Sequence, residues 1–175
     1  MTHFAVSAIG TDRPGIVAAV TKVLVGRGCN LEDASMSILR GHFAMMLVIA
    51  APEGTDAAGL ERDIGAATSA FGLVVVVRAI DEGDQRRAEG EEWTVSLYGA
   101  DRPGIVHRVS AALAAAGANI TDLTTRVIGD ADRPVYAMFL DVTAPHGTAL
   151  DATLAGVANE LGVSCTVHRA EADIL

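Results

Sequence analysis

The chain has few of the residues that build disulfide frameworks or nucleic-acid-binding surfaces. Its 175 residues include two cysteines, and 13 lysines and arginines stand against 22 aspartates and glutamates, for a formal net charge of −9. Cys29 and Cys165 form no Cys-x-x-Cys pair, which argues against a disulfide framework or a zinc site. An excess of acidic residues disfavours direct contact with nucleic acid or an anionic membrane, because both carry phosphates.

Long hydrophobic runs are also absent. The longest apolar run, residues 43–51, is far shorter than the roughly 18 residues that a membrane span requires. No basic stretch precedes the first apolar residues, so no signal peptide is expected. These features predict a soluble protein of the reducing cytoplasm.

Patterns typical of catalytic centres are missing as well. No Gly-x-Ser-x-Gly sequence occurs, and the glycine-spaced segment 10–15 lacks the Lys-[Ser/Thr] of a phosphate loop. The histidines lie at different positions in the chain without metal-ligand or general-base spacing: His3, His42, His107, His146 and His168. The sequence therefore predicts no enzyme activity, no catalytic residues, no metal site and no cofactor.

The most informative feature that is present is an internal repeat. The string Gly10-Thr-Asp-Arg-Pro-Gly-Ile-Val17 returns with one change as Gly99-Ala-Asp-Arg-Pro-Gly-Ile-Val106. The same shift of 89 residues carries Gly28-Cys-Asn-Leu-Glu-Asp33 onto Gly117-Ala-Asn-Ile-Thr-Asp122. A period of this length is too long for a solenoid unit and suits a small domain. Each copy is expected to bury its own core.

Each copy is predicted to contain six elements. Alternating apolar residues predict a strand before the repeated turn, and helical spacing follows the turn. A hairpin of two strands, a second helix and a final strand complete each copy, with Thr55 and Thr148 predicted to be N-caps of the second helices. The order βαββαβ predicts an α+β fold of two ferredoxin-like domains, each with a four-stranded antiparallel sheet and both helices on one face.

The predicted domains are residues 1–81 and 93–175, joined by an acidic linker at 82–92. In each domain the other sheet face and an edge strand are expected to stay open, and an open edge invites pairing with another sheet. The two repeats are therefore expected to associate with each other, or two chains to form a homodimer.

The repeated turn offers partners for both charges of a free amino acid. Gly15 and Gly104 are predicted to lie in the first turn of a helix, where glycine costs about 1 kcal/mol relative to alanine. Without a Cβ, a ligand can approach the unpaired N–H groups of the helix start, which favour a carboxylate. Asp12 and Asp101, just ahead, can hold an ammonium group. A free α-amino acid presents both charges.

Asn30 and Asn119 offer a donor and an acceptor to such a zwitterion. In a ferredoxin-like unit they approach the repeated turn only across an interface between two modules. The same residues also have a structural explanation, since aspartate before Arg-Pro forms turns, asparagine is common in loops, and Gly15 can allow tight helix packing. Arg13 and Arg102 can bind an anionic ligand or partner, or remain solvated.

The motif Asp-Arg-Pro-Gly-Ile-Val between a strand and a helix, followed by Gly-x-Asn-[Leu/Ile], resembles the ACT domain, a small amino-acid-sensing regulatory module. The resemblance covers essentially the whole chain in two copies. It implies ligand sites at interfaces between modules, contacted by the first strand-to-helix loop and by the asparagine entering the second strand. By motif match the implied ligand-binding residues are Asp12, Arg13, Gly15, Ile16 and Asn30, and Asp101, Arg102, Gly104, Ile105 and Asn119.

The tandem architecture is similar to the glycine cleavage system transcriptional repressor group. That similarity implies an amino-acid effector, with glycine among the candidates, and control of a partner transcription factor through protein contact rather than DNA binding. Two other functions stay open: an effector-independent interaction module, and a freestanding regulatory subunit of an enzyme of amino-acid or one-carbon metabolism.

Overall fold

Two units with the same order of elements make up the chain, Met1–Arg86 and Arg87–Leu175. The computed structural model describes residues 1–80, 89–129 and 134–170. Most of the predicted linker, residues 82–88, lies outside the described residues. Its last two residues, Glu91 and Glu92, pair with Ala144 and Thr143 in the second sheet, so this strand begins before the apolar alternation that predicted it.

The elements of the first unit are β1 (Thr2–Thr11), α1 (Ile16–Gly26), β2 (Asn30–Leu39), β3 (His42–Ala51), α2 (Ala57–Ala67) and β4 (Val74–Ile80), with a 3₁₀ turn at Ser69–Phe71. Those of the second unit are β5 (Glu91–Gly99), α3 (Ile105–Ala115), β6 (Asn119–Ile128), β7 (Val135–Ala144), α4 (Leu150–Leu161) and β8 (Ser164–Arg169).

The strands form one antiparallel sheet in each unit, in the orders β2-β3-β1-β4 and β6-β7-β5-β8. This confirms the predicted α+β fold of two βαββαβ units.

Each core lies between the two helices and one face of the sheet. In α1 the buried residues Ile16, Val20 and Leu24 recur every four positions, and they pack with alternate residues of β1 such as Phe4 and Val6. The second unit repeats this arrangement with α3 and β5. Because successive strand residues point to opposite faces, the same register that buries one set of side chains leaves the other set outside.

We call that outer surface of the first unit the open face. Its central residues are Ala5, Ser7 and Ile9 on β1, Asp33, Ser35 and Ser37 on β2, Ala44, Met46 and Val48 on β3, and Val74, Val76 and Arg78 on β4. Ile9, Met46, Val74 and Val76 are between 46% and 67% exposed.

The threonines predicted to cap the second helices have another role, so that prediction is wrong. The Thr55 hydroxyl donates to the Pro52 carbonyl at 2.8 Å, and the Thr148 hydroxyl makes the same bond to Pro145 at 2.7 Å. Each closes the turn that follows a strand end. The N-cap of α2 is Asp56, whose carboxylate accepts from the Gly59 N–H.

A two-residue turn joins β2 to β3, since Leu39 and His42 are paired. Arg40 and Gly41 between them have φ of 50° and 82°, the positive values of a type I′ turn. Arg40 is the one described residue other than glycine with a positive φ, and a side chain there raises the backbone energy.

We expect Arg40→Asn to stabilise the protein, because asparagine tolerates this conformation and Asn-Gly is the preferred type I′ pair. The expected gain in free energy of unfolding is about 0.5–1 kcal/mol in urea titrations. Arg40→Lys is the control and should leave stability unchanged, since it keeps the unfavourable φ. A loss of stability in Arg40→Asn would contradict the assignment.

Candidate functional site

The repeated turn lies at one end of each sheet and leads directly into a helix. In the first unit the Asp12 N–H donates to the Gly41 carbonyl at 2.9 Å, which ties the turn to the β2–β3 hairpin. Helix α1 begins after Gly15, and α3 begins after Gly104. Among the described residues, no side chain caps either helix. The first N–H groups of both helices therefore have no side-chain acceptor at the N-cap.

The two glycines have a conformational reason that the sequence did not reveal. Each lies at the N-cap rather than in the first turn, with φ of 97° at Gly15 and 94° at Gly104. A residue with a Cβ is strained in this region, so the backbone alone requires glycine. The space left by the missing Cβ differs between the units: a Cβ on Gly15 would lie 3.6 Å from the Phe71 ring, and one on Gly104 would meet nothing within 4 Å.

The charged side chains of the turn are exposed, whereas the first apolar residue of the following helix is buried. Asp12 and Arg13, like Asp101 and Arg102, are exposed. Ile16 and Ile105, in contrast, are each 2% exposed and belong to the cores. The side chains of these two predicted ligand-binding residues therefore lie in the cores and not at the surface of the turn.

Within one unit the asparagine does not approach the turn. Asn30 pairs with Ala50, which pairs with His3 near the start of β1, whereas the turn follows Thr11 at the other end. Eight residues of extended strand separate His3 from Thr11, or about 27 Å. The second unit has the same layout, since Asn119 and Glu92 both pair with Thr143. A ligand that touches both the turn and the asparagine must bridge two modules.

The two sheets differ in the side chains that lie near Asn30 and Asn119, at the sheet end opposite the repeated turn. Both β2 and β6 have an irregular register here, at Glu32 and Thr121. In the first unit Glu32 lies 3.4 Å from the imidazole of His3. In the second unit the equivalent positions hold Thr121 and Glu92, and no such pair can form.

In the second unit this end of the sheet contains an open cleft of about 260 Å³, lined by Glu92, Trp93, Thr94, Thr121, Asp141, Val142 and Ala170. The Thr94 hydroxyl donates to Asp141 at 3.4 Å. The Trp93 indole N–H is buried and has no partner among the described residues. No sequence signal marked this cleft, because its polar residues are not repeated in the first copy.

Neither cysteine is prepared for nucleophilic chemistry. Burial raises the pKa of the Cys29 thiol, although nearby Arg27 acts in the opposite direction, and burial also raises the pKa of Cys165. A raised pKa lowers the thiolate fraction at neutral pH, and the thiolate is the reactive form.

Neither a metal-ligand cluster nor a membrane-spanning helix occurs among the described residues. No group of histidine, cysteine, aspartate and glutamate residues there is arranged to hold a metal ion. No helix in that part of the chain combines the length and the apolar character of a membrane span.

Comparison with known families agrees with the fold and the repeated motif. Residues 2–78 and 93–152 each match the ACT domain family. The chain belongs to the ACT-domain family. One match lies in each structural unit, so the repeat seen in the sequence is a tandem pair of ACT domains.

Three similar proteins differ in how much of this chain they cover. The glycine cleavage system transcriptional repressor of Escherichia coli is 23% identical over 172 residues, which cover 98% of this chain and 88% of that protein. The UPF0237 protein of Methanopyrus kandleri is 38% identical over 82 residues, 46% of this chain and 91% of that protein. Phosphoserine phosphatase SerB2 of Mycobacterium tuberculosis is 29% identical over 169 residues, 93% of this chain and 40% of that protein.

A solved structure has the same architecture over nearly its full length. The crystal structure of an unknown protein from Galdieria sulphuraria superimposes with a TM-score of 0.84 at 27% identity, covering 97% of this chain and 99% of that one. The protein is thus an ACT-domain regulatory protein that resembles the glycine cleavage system transcriptional repressor and UPF0237 proteins.

Gly104→Ala should destabilise the protein by about 1–2 kcal/mol, because alanine is strained at a positive φ. A Cβ at Gly104 would contact nothing within 4 Å, so the loss would report the backbone conformation alone. Chemical denaturation measures the change.

Gly156→Ala is the matched control, since its Cβ would also meet open space but Gly156 lies inside helix α4. It should gain about 0.5–1 kcal/mol from helix propensity. Equal effects of the two substitutions would contradict the conformational explanation for Gly104.

Proposed function

We propose that this protein senses a free amino acid in the cytoplasm and controls a protein partner, such as a transcription factor, by direct contact. The observation that carries the proposal is the repeated pair of uncapped helix starts, each with an exposed carboxylate just ahead of it, at Asp12 and Asp101. Free N–H groups and the positive end of the helix dipole favour a carboxylate. The nearby aspartate favours an ammonium group.

The asparagine completes this site from a second module. Measured along the strands, Asn30 lies about 27 Å from the turn of its own unit, and Asn119 lies at the equivalent end of its sheet. Both asparagines are exposed. Ligand binding would therefore depend on how two modules are arranged. A ligand that binds one arrangement more tightly shifts the population toward it, and a partner that distinguishes the arrangements responds.

The two copies are expected to contribute unequally. Close to Asn119 the second unit has the cleft with Glu92 and Asp141, whose carboxylates add further partners for an ammonium group. In the first unit the His3–Glu32 pair occupies the equivalent place. We therefore assign the stronger asparagine-side contacts to the second unit.

A second function, an effector-independent interaction module, is favoured by two observations. The positive φ of Gly15 and Gly104 explains the repeated glycines without a ligand. The open face of the first unit presents exposed apolar side chains, which are typical of contact surfaces.

Isothermal titration calorimetry against the twenty amino acids tests sensing directly. Heat from at least one of them is expected, and heat from none would remove the sensing proposal. Melting temperature separates the two functions, because a bound ligand raises it and an effector-independent module would show no change. Glycine is the first ligand to test.

Asp12→Ala and Asp101→Ala should each weaken binding at their own site by about ten- to hundredfold, because each removes a charged partner worth about 1.5–3 kcal/mol. Asp151→Ala is the matched control, since Asp151 is an exposed carboxylate in the first turn of α4 and lies outside the repeated turn. If all three variants bind like the wild type, the aspartates do not hold the ammonium group.

A further inference from the structure

We propose that the open face of the first unit is the contact surface of a homodimer, on which a second copy of the chain stacks with Asp33 of one copy paired with Arg78 of the other. The proposal rests on the register of one sheet. It does not depend on whether an amino acid binds.

The two charged residues lie in one row across the open face. Asp33 pairs in register with Val48, Val48 with Ala5, and Ala5 with Arg78. Asp33 is on β2 and Arg78 on β4, the two outer strands, so three strand spacings, about 14 Å, separate their backbones. Both side chains are exposed, and neither forms a salt bridge within the described part of the chain.

A two-fold axis parallel to the strands brings these opposite charges together. If two copies stack face to face about such an axis, β4 of one copy lies over β2 of the other, and β1 lies over β3. Asp33 then faces Arg78 of the second copy, and the symmetric pair forms on the other side. Facing sheets lie about 10 Å apart, a gap that an arginine and an aspartate can span together.

The remaining rows of the open face fit the same operation. In the second row Met46 lies over Ser7 and Val76 over Ser35; in the third row Ile9 lies over Ala44 and Val74 over Ser37. Every pair combines a large apolar side chain with a small one, which allows interdigitation. A shallow groove of about 240 Å³ already runs along Ser7, Ser35 and Ser37 and can receive the larger side chains.

The second unit lacks this complementarity. Its row equivalent to that of Asp33 holds Asp122, Asp141, Thr94 and His168. The same stacking would place Asp141 over Thr94 with no cation opposite, and burying an unpaired carboxylate is costly. The face of the first unit is therefore the one suited to a second copy.

At the β4 edge of the first unit, a second copy would stack on the open face more readily than add a strand to the sheet. The Val77 N–H, on this outer strand, donates to the Glu61 carboxylate of α2 at 2.9 Å. An added strand would have to displace that carboxylate to pair here.

Sedimentation equilibrium of the full chain tests the proposal. We expect a dimer for the wild type. Arg78→Glu and Asp33→Arg should each raise the dissociation constant by about tenfold or more, because each places like charges opposite one another. Combining the two substitutions should restore the wild-type constant to within about threefold. Restoration cannot arise within one unit, because the two positions lie about 14 Å apart there.

Met46→Glu should also weaken the dimer, because it places a charged side chain in the apolar part of the contact surface. This variant tests the apolar contact separately from the Asp33–Arg78 pair. Val25→Glu, on an exposed apolar residue of α1, and Asp122→Arg, in the second unit, are controls that should leave the dissociation constant unchanged. Circular dichroism melts check that each variant folds. If Met46→Glu does not fold, the Arg78→Glu and Asp33→Arg variants and their combination test the proposal without it. A monomeric wild type, single reversals without effect, or a double variant as weak as the single ones would overturn the proposal.

Discussion

The pairing of the two central strands determines the geometry of each unit. β1 and β3 pair without interruption from Thr2 opposite Ala51 to Thr11 opposite His42. This long antiparallel register decides which side chains enter the core and which remain outside. It also sends the repeated turn to one end of the sheet and the asparagine to the other. A shift of one residue would exchange the two faces and bury polar residues such as Ser7 where Val6 now packs.

Sequence reasoning succeeded where the signal is local. Period-two and helical spacing predicted the order of elements correctly. Gly28 and Gly117 have the positive φ that is typical of a glycine just beyond a helix end. It failed where one residue type has several uses. Thr55 can cap a helix or close a turn, and only the structure shows that its hydroxyl is already bonded to Pro52. The distance from Asn30 to the turn likewise follows from strand register, which no short window of sequence contains.

The two copies agree mainly where the backbone requires it. A Cβ at Gly10 would lie 2.5 Å from the Leu73 side chain, and one at Gly99 would lie equally close to Val163. Much of the repeated motif is therefore explained by close approach and positive φ, and agreement between copies does not by itself identify a ligand site. Asp12 and Asp101 are different, since their exposed carboxylates have no such structural requirement. Surface chemistry, as in Glu32 against Thr121, is where the copies have diverged.

A sensor must convert binding into a change that another molecule can detect. A ligand held entirely by one turn would bind every arrangement of modules equally and would shift none of them. Within each unit the turn and the asparagine lie far apart. A ligand that contacts both can therefore bind only where two modules come together, so it would not bind every arrangement equally. For such a ligand, the fixed distance across the sheet would make affinity depend on how the modules assemble, without a change of fold within either unit. The dimer proposed for the open face would limit the number of arrangements available, and so reduce the entropy that ligand binding has to overcome.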